Sequence, residues 1–466
     1  MRREHKSVNQ RYLILISLIA GMGGYLFGYD WVVIGGAKPF YEVYFSIEGI
    51  PWLQGWVMSS ALLGCLLGVV ISGWVADKYG RKFMMILAAV VFALSAFGTG
   101  AASTLGLFIL FRIISGVGIG IASNISPMYL SEVSPPAVRG KFVAIYQLAI
   151  VLGILSAQIA NWQIADPVLP GEDILHSWNG QRGWRWMLWA PAFPAILYLL
   201  LIFILPESPR WLISKAHYNR ATAIFTRIAG KEYASELIEE VKKTTTESIH
   251  NLQLAHLFRG KTYKIVLIGI VLAILQQWCG INVVFNYAQE IFTSAGYSVS
   301  DMLFNIVVTG IVNVVFTLVG MYTVDKWGRR SLMLMGTTGL TFIYLLLGGG
   351  YYFQLEGFIM LILVVLAIAV YAMTLAPVTW IVIAEIFPTK FRARGMALST
   401  FALWSASFLL TYTFPLLNSS LGASGTFWLY GVICLLGLFF IKMNLPETKG
   451  KSLEEIESVI TNKRLS

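Results

Sequence analysis

Apolar runs of about 20 residues recur twelve times along this chain, near 12–35, 54–76, 83–103, 105–131, 140–161, 186–205, 264–293, 303–325, 332–353, 358–386, 394–417 and 426–445. A helix rises about 1.5 Å per residue, so roughly 20 residues cross the hydrocarbon core of a bilayer, about 30 Å thick. Lipid offers no partners to backbone N–H and C=O groups, so each run has to close its own hydrogen bonds as a helix. Composition supports the same reading. Of 466 residues, 57% are hydrophobic and only 12% charged, against roughly a quarter charged in soluble domains. The apolar content is therefore lipid-facing surface and helix-packing surface, and the expected fold class is an all-α membrane protein.

The formal charge of +10 invites a nucleic-acid reading, but the placement of the charge excludes it. Thirty of the 34 Lys and Arg cluster before the first run, around 78–82, 139–141, 206–264, 326–330 and 390–394, and after 441; the exceptions are Lys38, Arg112, Arg182 and Arg185. Every second connection is basic and the alternate ones are not. This asymmetry puts both termini in the cytoplasm of a multi-pass inner-membrane protein. The basic-then-apolar N-terminus resembles a signal peptide, but without a small-residue cleavage site leading into a polar region it reads as a retained first span. Cys65, Cys279 and Cys434 lie in apolar stretches without pair or metal spacing and read as packing residues. There is no metal-ligand cluster, nucleophile–base set or phosphate loop, so neither enzyme, cofactor nor metal is expected. The run Gly116-Val-Gly118-Ile-Gly120 follows no strand and reads as helix packing.

The chain divides into an N-terminal six-helix bundle (1–205), a cytoplasmic helical linker (206–263), a C-terminal six-helix bundle (264–445) and a cytoplasmic tail (446–466). In the linker, Glu236, Glu239, Glu240, Lys242 and Lys243 share helical spacing with Leu237, Ile238 and Val241; a second short helix is expected at 452–460. The halves repeat. Asp77-Lys-Tyr-Gly-Arg81 after the second span is matched by Asp325-Lys-Trp-Gly-Arg329 after the eighth. Glu132 with Arg139, seven residues later, is matched by Glu385 with Arg392. Pro206-Glu207-Ser-Pro-Arg210 after the sixth span is matched by Pro446-Glu447-Thr-Lys-Gly450 after the twelfth. The carboxylates Asp77, Glu132, Glu207, Asp325, Glu385 and Glu447 are expected to pair with Arg81, Arg139, Arg210, Arg329 and Arg392 as an inner latch across two bundles. Wet pairs of this kind stabilise only modestly, which suits reversible opening. Static capping is the alternative.

With these motifs in view the chain resembles the sugar porter branch of the major facilitator superfamily over nearly its whole length. The resemblance is carried by Gly28-Tyr-Asp30, Asp77 to Lys82, Arg112, Glu132 with Arg139-Gly-Lys141, Pro206 to Trp211, Gln276-Gln277, Gly280-Ile-Asn282, Asp325 to Arg330, Glu385-Ile-Phe-Pro388 and Pro446 to Gly450. It implies twelve transmembrane helices in two pseudo-symmetric bundles, alternating access by rocking of those bundles, a monomer in the bilayer, and a monosaccharide (a pentose such as D-xylose, or a hexose) carried together with a proton.

Two ionisable residues lie deep in the N-terminal half, Asp30 in the first span and Arg112 in the fourth. A charge there costs roughly 2.5–3.5 kcal/mol on insertion scales, so the two are expected to pair. Desolvation favours a neutral carboxyl and a neighbouring guanidinium a charged one. An arginine that approaches in one conformation and withdraws in another would make Asp30 release and take a proton in turn. A fixed structural pair is the alternative.

A sugar needs many hydrogen bonds and an aromatic face. Amides supply the first without the burial cost of charge. The C-terminal half offers Gln276, Gln277, Asn282 and Asn313 in apolar helices, with Gly280 interrupting the helix that carries three of them. Trp380 follows Pro377 in the tenth span, and Trp404 lies in the eleventh. The resemblance adds Gln147 and Phe27 from the N-terminal half. It also marks departures: Asn286 stands where relatives carry Tyr, Ala376 and Ala393 where they carry Gly, and Leu403 where they often carry Gln or Asn. Asn286 is kept as a candidate ligand. The rival readings are a passive sugar uniporter, against which Asp30 with Arg112 argues, and a sugar sensor, against which the short C-terminal tail argues.

Overall fold

The computed structural model describes residues 9–135, 138–168, 173–231, 262–387 and 392–449, with the isolated positions 234, 235 and 238. Among these residues there is no strand. Among them, eleven helices are long and apolar enough to cross a membrane. The last, Arg392–Asn444, is two spans in one. Its 53 residues would reach about 80 Å at 1.5 Å each, and Gly422, at φ 68° and ψ 174°, breaks the helical path. The count is thus twelve, as the sequence predicts.

The spans are Gln10–Tyr44, Pro51–Tyr79, Arg81–Ala101, Leu105–Val133, Arg139–Ile164, Asn179–Ile202, Tyr263–Asn286, Val299–Trp327, Arg329–Tyr352, Phe358–Ile386 and the two halves of Arg392–Asn444, numbered 1 to 12 below. Odd spans begin at the end of the molecule that carries the repeated charged motifs, here the basic end; even spans begin at the far end. Span 1 runs beyond the expected 12–35, because Lys38 finds Glu42 one turn along the helix at 2.8 Å and need not leave it. Span 7 breaks at Gly280, φ +83°, and resumes at Ile281. Span 10 breaks at Thr374, between Phe358–Met373 and Leu375–Ile386.

Spans 2 and 4 show how the bundle closes. An added Cβ would lie 2.0 Å from the Ile113 carbonyl oxygen at Gly64, 1.8 Å from that of Ala61 at Gly116, and 2.3 Å from that of Cys65 at Gly120. Only glycine lets the two backbones approach so closely, the small-residue packing that drives helix association in lipid. The glycine run of span 4 is therefore packing, as read. Lipid-facing positions such as Val70, Leu94, Leu200, Phe342, Leu346 and Leu436 remain exposed, as expected where the solvent is hydrocarbon.

The two bundles touch at the far end. Span 2 meets span 11, where a Cβ at Gly55 would lie 2.2 Å from the Tyr412 carbonyl oxygen and Trp56 packs edge-on to Phe408 at 6.3 Å. Span 5 meets span 8 through Trp162 and Phe304, 5.6 Å apart. Beyond span 5, the Val168 amide donates to Ser300 Oγ at 3.1 Å. At the basic end, short helices Pro209–Ser214 and Tyr218–Ala229 pack around Leu212, Ile213, Ala221, Phe225, Ala234 and Ile238. Arg227 lies 4.2 Å over the ring of Tyr12 and docks them on span 1. The expected helix around Glu236, Glu239, Glu240, Lys242 and Lys243 lies, apart from Ile238, outside the described residues, as does the one at 452–460.

Candidate functional site

Asp30 and Arg112 meet. Both side chains are buried, and Arg112 Nη1 donates to Asp30 Oδ2 at 3.3 Å. The hydroxyl of Ser115 donates to the same oxygen. Sequence reasoning missed Ser115, although it lies three residues after Arg112 and so on the same helix face. Arg112 Nε is buried without a hydrogen-bond partner. The guanidinium thus offers Asp30 one aligned N–H and keeps a donor in reserve.

The amides gather where span 7 breaks. Gln277 Nε2 donates to Gln276 Oε1 at 2.8 Å, and Asn282 Nδ2 donates to Gln277 Oε1. Gly280 makes this possible. Its left-handed backbone turns the chain within two residues, so that side chains five positions apart meet; an L-residue there is strained. Asn286 and Asn313 are also buried, and Asn286 Oδ1 has no partner. A cluster whose members bond mainly to one another can exchange those bonds for the hydroxyls of a polyol.

An aromatic triangle brings the two bundles together. Phe27 lies 5.9 Å from Trp31 and 5.8 Å from Trp404, and Trp31 lies 5.8 Å from Trp404. Phe27 and Trp404 are expected site residues. Trp31 is not, although it is one turn from Phe27 and next to Asp30. Gln147 in span 5 and Trp380 in span 10, just past the Thr374 break, are partly exposed, and no hydrogen bond joins either to the amide cluster.

At the basic end the motifs form two matching constellations. Arg81 Nη2 pairs with Glu132 at 3.0 Å and Arg81 Nη1 with Asp77 at 3.2 Å, while Ser208 Oγ donates to Glu132. Across the pseudo-symmetry, Arg329 pairs with Glu385 at 3.3 Å. Two expectations change. The hydrogen bonds that Glu207 and Glu447 accept come from backbone N–H groups, so both act as helix caps. Glu207 accepts from the backbone N–H groups of Arg81 at 2.9 Å and Lys82 at 3.2 Å, and Glu447 from those of Arg329 at 2.9 Å and Arg330 at 3.1 Å. The first amides of spans 3 and 9 have no partner within their helices. Gly80 (φ +99°) and Gly328 (φ +86°) leave room for the carboxylates. Arg210 Nε is correspondingly buried without a hydrogen bond. Second, these arginine–carboxylate pairs at the basic end each join residues of one bundle and do not cross to the other. The side chains of Arg139, Asp325 and Arg392 lie outside the described residues.

The two caps differ electrostatically. Burial pushes the Glu207 carboxyl above its ordinary range, against the pull of backbone N–H groups and Arg81. Burial also pushes Glu447 upward, but four backbone N–H groups outweigh it and hold the carboxyl below its ordinary range.

Comparison with known proteins gives this arrangement its class. The model of the sugar (and other) transporter family matches residues 16–460. The chain belongs to that family, within the major facilitator superfamily. It is similar to the arabinose–proton symporter of Bacillus subtilis, 36% identical over 97% of this chain and 96% of that protein. It is also similar to the D-xylose–proton symporter of Escherichia coli, 34% identical over 97% of this chain and 96% of the relative. The inward-open structure of the Escherichia coli xylose transporter superposes with a TM-score of 0.83 at 32% identity, covering 96% of this chain and all of that one.

Proposed function

We propose that this protein is a secondary active transporter that carries a monosaccharide together with a proton by alternating access. The bilayer is its solvent and the basic end faces the cytoplasm, because loops dense in Lys and Arg stay on that side. The observation that carries the reading is the buried Asp30–Arg112 pair beside an aromatic and amide-lined region between two bundles. A sugar between the bundles biases which way they rock, and the same motion moves span 4 against span 1. When Arg112 draws away, Asp30 is left in a dry interior, where taking a proton relieves the charge. When it returns, the proton leaves. The two halves divide the work: span 1 brings Asp30, Phe27 and Trp31, whereas span 7 brings Gln276, Gln277 and Asn282.

The names of its relatives support sugar and proton as cargo. The pentoses arabinose and xylose come first as candidates. The test is uptake into proteoliposomes with and without an inward proton gradient, using xylose, arabinose, glucose and galactose. Wild type is expected to accumulate one of these against its gradient only when protons run inward. Asp30→Asn is expected to exchange and equilibrate sugar but not to concentrate it. If wild type equilibrates sugar with no response to the gradient, the protein is a uniporter and Asp30–Arg112 a structural pair.

A further inference from the structure

Lys38 is one of the four cations outside the basic clusters, and the mechanism above does not use it. Its position is unusual. It lies 28 residues into span 1, about 42 Å along the helix at 1.5 Å per residue, close to the far end. Its side chain is only 1% exposed. An ammonium group so enclosed needs partners, and it has two of different kinds. Glu42, one turn on in the same helix, lies 2.8 Å away and is itself held by Gln54 of span 2, whose amide donates to Glu42 Oε2 at 3.0 Å. Glu290 comes from the other bundle, in the short helix Ala288–Thr293 that follows span 7. Lys38 Nζ donates to its Oε1. The Glu290 side chain is 24% exposed, against 4% for that of Glu42, although its Oε2 is buried without a hydrogen-bond partner, and the Lys38 ammonium lies 5.7 Å from the ring centre of Tyr287 of the same bundle. The backbones are close as well: a Cβ at Gly35 would lie 3.0 Å from the Phe285 carbonyl oxygen.

We infer that Lys38, Glu42 and Glu290 form a far-end gate for the transport cycle, in which Lys38 keeps Glu42 throughout and binds Glu290 only while the two bundles are closed at that end. The inference rests on the alternating-access reading. The asymmetry of the partners is its core. Any motion that parts the bundles at the far end separates span 1 from the segment after span 7, and so pulls Nζ from Glu290. A buried lysine with a single partner across that seam would be left as a bare charge, a costly event. With Glu42 fixed beside it, only one of two pairs breaks, and the carboxylate released belongs to the less buried of the two glutamates. The gate is therefore strong enough to hold and cheap enough to open. It is the counterpart, at the opposite end and across the seam, of the arginine–carboxylate constellations that stay within each bundle at the basic end.

The test uses the full-length protein with spin labels on Glu48→Cys and Ser420→Cys, which replace exposed residues at the far ends of the two bundles; the native cysteines are buried. Distance distributions are recorded with and without Glu290→Gln. This change leaves Lys38 paired with Glu42, so folding is expected to survive. A second variant, Lys38→Met with Glu42→Gln and Glu290→Gln, removes the whole triad and leaves no unpaired charge. Both variants are expected to shift the distribution toward longer distances. A larger population of the far-end-open state raises apparent affinity in proportion, so KM for sugar supplied from that side is expected to fall about three- to tenfold. Unchanged or shorter distances in Glu290→Gln, with unchanged KM, overturn the gate. If wild type moves no sugar, the transport reading falls, while the distance distributions still decide whether the pair holds the far end closed.

Discussion

At the residue scale, the two capping glutamates show how one motif repeated in two halves acquires different electrostatics. Glu207 and Glu447 occupy equivalent places and accept backbone N–H groups at the starts of spans 3 and 9. Glu447 ends below its ordinary range because it gathers four backbone donors; Glu207 ends above because burial wins. The signs follow. A depressed folded-state pKa means that Glu447 contributes stability fully above about 4.5 and loses it as pH falls through the lower folded value. A raised value means that the Glu207 contribution declines as pH rises through and above about 4.5. Glu447→Gln is therefore expected to lower the thermal midpoint at pH 7, by the equivalent of about 1 kcal/mol for a lost helix cap. The deficit should shrink below pH 4.5. Glu207→Gln should cost less at pH 7. Melting curves of the detergent-solubilised protein at pH 7 and pH 4 check this; equal deficits at both values for Glu447→Gln would contradict the assignment.

At the element scale, the broken helices matter most. Span 7 carries three site amides on a 17-residue and a 6-residue helix joined by Gly280, whose φ of +83° is open to glycine and disfavoured for other residues. A Cβ there would also meet the Tyr430 ring at 2.7 Å. Gly280→Ala is expected to cost about 1–2 kcal/mol from the left-handed backbone alone, with more from the ring contact. Because the break sets how Gln277 meets Asn282, sugar KM should rise by roughly tenfold, the effect of about 1.4 kcal/mol. Thermal melting and binding titrations test both halves of that expectation; a variant that melts lower but binds sugar normally would detach the break from the site. Gly280 was legible in the sequence as a helix interruption. The Thr374 break of span 10 has its signal in Pro377, which lacks the N–H that would bond the Met373 carbonyl and whose ring crowds that carbonyl. Ser115 and Trp31 escaped because a hydroxyl or an indole in an apolar helix acquires a role only from what faces it.

At the scale of the whole molecule, the bundles meet along the far end through contacts that leave little slack. Gly55 lies against the Tyr412 carbonyl with no room for a Cβ, so Gly55→Leu is expected to wedge span 2 from span 11 and hold the far end open. Sugar binding from that side should persist while net uptake falls at least tenfold; normal uptake would show that the seam tolerates the wedge.

The sequence by itself determined the number of spans, the alternation of basic and neutral connections, the internal repeat and the pairing of Asp30 with Arg112. Each of these follows from the bilayer, which demands closed helices of fixed length and makes a lone intramembrane charge expensive wherever it lies. Only the tertiary structure decided that Glu207 and Glu447 cap helices, that the arginine pairs in view stay within their bundles, and that Lys38 reaches across to Glu290. Those are choices among several chemically adequate partners. Residues 252 positions apart come within hydrogen-bonding distance because the packing of the two bundles brings them there, and no local pattern records that distance.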